Sequence, residues 1–180
     1  MFGDPLLNEM KYSTKQLAKV CPFNKYKGDV ECINGNYWIL NLDMVESNSG
    51  RVLDKLYQPI EKIGNSTILF NENYVLYSKL RPYLNKVVIP DSTGYATSEM
   101  ISMQTGSEIN KYFLASLLRS DSFVSYINSK TAGAKMPRVS MDHLREFELI
   151  IPSIEQQNKF AQFVEQIDKS KFVCYSKYFL

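Results

Sequence analysis

Pro82 stands in the middle of the run YSKLRPYLNK, residues 77–86, which is apolar on both flanks: Tyr74-Val75-Leu76-Tyr77 precede it and Val87-Val88-Ile89 follow. Proline fixes its own φ and removes a backbone donor, so neither a continuous helix nor a central strand passes through this position cleanly. The simplest arrangement left is strand, short crossing, strand. The crossing holds three cations (Lys79, Arg81, Lys86) and no acid, with Tyr77, Tyr83 and Asn85 among them. Cations, aromatics and an amide then meet at the end of a rigid sheet, where a polyanion can be bound. An ordinary solvated turn beside a core satisfies the same pattern.

Charge distribution says more than net charge, which is only +2. Lys11, Lys15, Lys19, Lys25 and Lys27 lie in an acid-free stretch, and so do Lys130, Lys135 and Arg138. Acids gather elsewhere, as at Asp43, Glu46 and Asp54. Three basic blocks either merge into one face on folding or remain separate solvated patches.

Chemistry is poorly represented. His143 is the only histidine, which excludes a multi-histidine metal site, and it is read as structural. The three cysteines (Cys21, Cys32, Cys174) form no CxxC pair. No GxSxG, P-loop or GxGxxG occurs. No catalytic residue, metal ligand or resident cofactor is expected. A hydrophobic content of 44% over 180 residues supports one domain plus an appendage. No apolar run approaches the roughly 20 residues of a membrane helix. The start, MFGDPLLNEM, carries acids where a secretory signal carries cations. A soluble, cytoplasmic protein is expected.

Along the chain, Ser13 three residues before Gln16 has capping-box spacing, and a short helix is predicted from about Thr14 to Val20, stopped by Pro22. Tyr37 to Leu42 reads as a strand. Thr67 to Phe70 and Tyr74 to Tyr77, separated by Asn71-Glu72-Asn73, read as a hairpin. Tyr95 to Met103 reads as one strand. Asn110 to Arg119 and Ser122 to Ser129 have helical spacing. Between the second helix and the strand Phe147 to Ile151 lies a non-periodic loop, in which Gly133 and Ala134 would admit a close phosphate. After Pro152, Ser153 and Gln156 form a second capping-box pattern opening a long helix. Phe160, Val164, Ile167 and Lys171 follow four-then-three spacing on it, the pattern of a projecting helix that packs on a partner helix. The alternative is packing against its own domain.

Four stretches together resemble the specificity subunit of type I restriction-modification enzymes: LYSKLRPYLNKV at 76–87, GYATSEM at 94–100, AGAKMPRVSMDHL at 132–144 leading through FELIIP, and the helix opening IEQQNKFAQFVEQI. The resemblance covers nearly the whole chain. It implies an α+β fold: a mixed β-sheet target-recognition domain with short helices over 1–152, followed by a spacer and dimerisation helix over 153–180. It implies a non-catalytic subunit that binds double-stranded DNA and directs modification (methyltransferase) and restriction (translocase-nuclease) subunits to a split site. S-adenosylmethionine would be bound by the modification subunit. A full subunit of this kind has two recognition domains and two helices; this chain has one of each, so a half-subunit is expected, paired through its helix as a homodimer or with another half.

Candidate DNA contacts are Lys79, Arg81, Asn85, Lys86, Lys130, Lys135 and Arg138. Cations neutralise phosphates, and Arg, Lys and Asn also hydrogen-bond base edges. Ser98 and Glu99 are read as structural, and Tyr77 and Tyr83 as either core or sugar-phosphate contacts. Candidate dimer contacts are Phe160, Val164, Ile167 and Lys171. The competing reading is a module that binds other subunits through its helix without reading DNA.

Overall fold

The structure, a computed structural model, describes residues 2–131 and 135–178, with side chains described through Ile167. Gly133, Ala134 and the side chains of Lys171 and Cys174, singled out above, lie outside the described residues. The fold is α+β. Its centre is a three-stranded antiparallel sheet in the order β7 (Val87–Val88), β6 (Tyr74–Ser78), β9 (Met100–Gln104).

Both faces of this sheet are covered, which is why β6 reads as an unbroken apolar run and is buried at every position. Alternation sorts its side chains. Val75 and Tyr77 join the larger core, with Val87, Ile101 and Met103, under the helices. Tyr74 and Leu76 join the smaller core, with Val88, Met100, Trp38 and Phe70. Leu76 is fully buried, so truncating it to Ala would cost about 2–5 kcal/mol.

The smaller core is closed by a second, mixed sheet. In it β3 (Asn36–Leu40) pairs antiparallel with β2 (Cys32–Ile33) and β4 (Leu56–Pro59), and parallel with β8 (Gly94–Thr97); β8 pairs antiparallel with β5 (Thr67–Phe70). The larger core is closed by α2 (Lys111–Arg119) and α3 (Asp121–Lys130), whose caps are Asn110 and Ser120.

Three expectations are corrected. Thr67 to Phe70 and Tyr74 to Ser78 are not a hairpin: Asn71–Asn73 is a corner that sends β5 to the mixed sheet and β6 to the central one. The corner is held by Tyr74 N–H donating to Asn71 O at 3.1 Å and Asn73 N–H donating to Asn71 Oδ1 at 3.0 Å. Residues 95–103 are not one strand. They break at Ser98-Glu99 and change sheet, because Ala96 fills the smaller core while Ile101 and Met103 fill the larger one. Ser13–Gln16 is not a helix start but a strand, β1, paired with β10 (Glu148–Ile151). The β10 edge takes up the backbone groups of residues 13–16, and the helix shrinks to α1 (Leu17–Val20), with no side-chain cap.

The second capping box is formed as read: Ser153 N–H donates to Gln156 Oε1 at 3.1 Å, and Gln156 N–H to Ser153 Oγ at 3.3 Å. It opens α5 (Ile154–Tyr178), preceded in the chain by α4 (Met141–Arg145). Among the described residues no helix is long and apolar enough to cross a membrane.

Candidate nucleic-acid interface

The crossing after β6 is a 3-10 turn over Pro82–Leu84 with left-handed residues at both ends, Arg81 (φ 50°) and Asn85 (φ 50°). A left-handed arginine before a proline is a strained choice, so the surroundings must hold it. They do so through the main chain. Leu84 N–H donates to Arg81 O at 2.9 Å and Asn85 N–H to Pro82 O at 2.9 Å. Arg81 N–H donates to Pro137 O at 2.8 Å, and Val139 N–H to Lys79 O at 2.9 Å. Leu80 and Arg138 form an antiparallel bridge. The basic crossing and the basic loop, more than fifty residues apart in sequence, are thus zipped side by side.

A third strip joins them. Lys79 N–H donates to Glu99 O at 2.9 Å, and Arg138 Nη2 donates to Glu99 Oε1 at 2.7 Å. The GYATSEM turn therefore lies against the basic ridge. Glu99, read from the sequence as structural, grips an arginine of the ridge.

The candidate residues separate clearly. Arg81, Lys130, Lys135 and Arg138 are exposed, and Lys79 is half-buried. Lys79, Arg81 and Lys135 have no hydrogen-bond or ion-pair partner through their side chains among the described residues. Lys130 Nζ lies 5.5 Å from the Tyr126 ring centre. Tyr83 is 51% exposed in the same turn.

Asn85 and Lys86, also expected at the DNA face, point the other way. Asn85 is buried, and its Nδ2 donates to Arg119 O at 3.0 Å, at the end of α2. Lys86 is half-buried, with Nζ donating to Leu42 O at 2.6 Å. These two polar groups anchor the crossing. Tyr77 is core: burial against Phe123 pushes its hydroxyl well above the usual tyrosine range. A left-handed conformation favours Asn over most residues, and that is the one sequence signal that Asn85 serves the turn.

The 47–51 loop braces the same turn. Asn48 N–H donates to Leu84 O at 3.3 Å and Asn85 O at 3.2 Å. Gly50 (φ 68°) passes so close that a Cβ would overlap Val87 O and the Arg119 guanidinium.

The base of α5 is bolted to the domain by a residue without an obvious sequence signal. Gln157 is fully buried; Asn110 N–H donates to its Oε1 at 2.9 Å, and its Nε2 donates to Pro152 O at 2.9 Å and Glu108 O at 3.1 Å. Phe160 packs edge-on against Phe2 and Phe113, at 5.4 and 6.3 Å between ring centres. Its ring, expected in a dimer seam, is partly buried against the chain's own core. Val164 is partly buried, while Phe163 (55%) and Ile167 (38%) are exposed. No group of three or more His, Cys, Asp or Glu among the described residues is placed to hold a metal.

The family model for the type I restriction modification DNA specificity domain matches residues 9–172. A curated relative, the type I restriction enzyme EcoDI specificity subunit of Escherichia coli, is 26% identical over 125 residues, covering 68% of this chain and 27% of the relative. The HsdS subunit from Thermoanaerobacter tengcongensis superposes with a TM-score of 0.70 at 18% identity, over 90% of this chain and 43% of that one. A structure titled for complex assembly and conformational transition of the type I R-M system superposes at 0.71 with 15% identity, over 90% and 43%. At these identities the superpositions speak for the fold. The chain spans about a quarter of the curated relative and less than half of either structure.

Proposed function

The chain belongs to the family of type I restriction modification DNA specificity domains, and on that premise we propose that it is a sequence-specific half-subunit. It binds double-stranded DNA and directs modification and restriction subunits to a split target site. The observation that carries this reading is the joining of residues 79–81 and 137–139 into one ridge by main-chain bonds. Such a ridge keeps side chains free while fixing where they stand.

Lys79, Arg81, Lys130 and Lys135 neutralise phosphates, giving affinity and salt dependence but no sequence information. Arg138 has a fork suited to a base edge. The chain performs no chemistry itself. Methyl transfer from S-adenosylmethionine belongs to the modification subunit, in the cytoplasm. The exposed face of α5, with Phe163 and Ile167 and the partly buried Val164 beside them, seats a second copy or another half-subunit. A two-fold dimer of single recognition domains specifies a palindromic split site.

The test mixes the chain with its cognate modification subunit, S-adenosylmethionine and random-sequence duplex DNA, and maps methylated positions by sequencing. A recurring split palindrome is expected. No enrichment from a folded chain that still binds the modification subunit would replace this reading with that of an interaction module that does not read DNA.

A further inference from the structure

Glu99 stands out as an acid placed against the cationic ridge. Its backbone carbonyl accepts from Lys79 N–H at 2.9 Å, and its Oε1 accepts from Arg138 Nη2 at 2.7 Å. Its Oε2 is buried and has no hydrogen-bond partner among the described residues. The side chain of Glu99 is 28% exposed, against 58% for Arg138. The carboxylate thus sits behind the arginine, more sheltered than the group it holds.

Stability does not explain this arrangement. Ion pairs near the surface contribute little, and a buried oxygen without a donor costs free energy. Repulsion of DNA is not its effect either, because the acid is shielded and spends its charge on one guanidinium. What the contact does is restrict Arg138. The backbone of Arg138 is already fixed by its bridge to Leu80 and by Val139 N–H donating to Lys79 O. The Glu99 contact then fixes the far end of the side chain. A guanidinium has five N–H donors in a rigid fork, so one bond to Glu99 leaves donors for a second partner. Holding a long side chain in its bound orientation beforehand removes an ordering cost at binding.

We propose that Glu99 is a positioning residue for Arg138: it orients the guanidinium so that the free N–H edge reads a guanine in the half-site. The inference rests on the proposed DNA-reading function and goes beyond it by assigning one base contact and the group that aims it. Lys79, Arg81 and Lys135, without such a carboxylate, take phosphates.

The experiment uses the full chain with its modification subunit, S-adenosylmethionine and a random duplex library, followed by binding to the recovered site and to a random duplex across a salt series. In Arg138→Ala, guanine preference at one position of the half-site falls by about 5- to 150-fold, the range for one bidentate pair. Glu99→Ala relaxes the same position and no other, and Glu99→Gln, which retains an acceptor oxygen, restores most of it. Arg138→Lys keeps the charge but lacks the fork, so it loses the preference with the salt slope unchanged. That variant carries the test if Glu99→Ala does not fold. An unaltered site in Glu99→Ala, a preference retained in Arg138→Lys, or uniform weakening at all positions with a salt slope reduced by about 0.9 in Arg138→Ala, the mark of a phosphate contact, would overturn the inference while leaving the proposed function standing. No recurring site from the wild-type chain would overturn both.

Discussion

The basic ridge and the base of α5 are both fixed to the central scaffold, but by opposite means. Residues 79–81 and 137–139 are held by main-chain bonds: Arg81 N–H to Pro137 O, Val139 N–H to Lys79 O, and the Leu80–Arg138 bridge. The base of α5 is held by side chains, chiefly the Gln157 amide and the Phe160 ring. A surface anchored by its backbone can change its side chains without losing its shape. A helix anchored by side chains keeps its attachment only while those side chains remain. The first design suits a reading surface and the second a fixed joint.

The largest effect expected from this contrast is at the joint. Gln157→Ala strips partners from Asn110 N–H, Glu108 O and Pro152 O, and should lower stability by about 3 kcal/mol. Arg81→Ala, on the ridge, should change stability by less than about 0.5 kcal/mol. Denaturant melts of the two variants make the comparison, and equal losses would break it.

A smaller effect separates two lysines of the same crossing. Lys86→Ala removes the bond to Leu42 O and should cost about 1–2 kcal/mol of stability while leaving the salt slope of DNA binding unchanged. Lys79→Ala should do the reverse, sparing stability and flattening the slope by about 0.9. Melts and salt titrations on both variants check this, and a flattened slope in Lys86→Ala would put that lysine back on the DNA face.

The smallest stability effect is expected beyond the joint. Phe163→Asp with Ile167→Asp alters exposed positions and should leave the melting of the monomer within about 0.5 kcal/mol. The same pair should dissociate the proposed dimer in sedimentation. A dimer that survives places the contact off this face of α5.

Much of the local structure is legible in the sequence. Pro82 between two apolar runs announces strand, crossing, strand, and β6 and β7 do pair across it. The Ser153–Gln156 capping box and both central helices follow from spacing within one or two turns. What is not legible depends on distant partners. The assignment of β5 and β6 to different sheets is set by which core each side of the corner fills, and local turn chemistry at Asn71–Asn73 does not encode it. Ser13–Gln16 has helix-start spacing but yields to a strand edge more than a hundred residues away. Charge in the sequence likewise does not reveal direction: Lys79 and Lys86 look equivalent, yet the side chain of one has no partner among the described residues and that of the other is tied to Leu42. Asn85 looks like a reader of bases in the sequence because its partner, the Arg119 carbonyl, is 34 residues on. The stripe through Phe160 has the right period, but its first member is consumed by Phe2 and Phe113.

The most direct test of the ridge as the DNA face is the salt dependence of binding to duplex DNA. It compares the wild-type chain with a variant carrying Lys79→Ala, Arg81→Ala, Lys130→Ala and Lys135→Ala. If each of these cations meets one phosphate, the slope of log affinity against log salt should flatten by about 3.6, and the variant should melt near the wild type. A folded variant with an unchanged slope would contradict the account and move the DNA face elsewhere on the molecule.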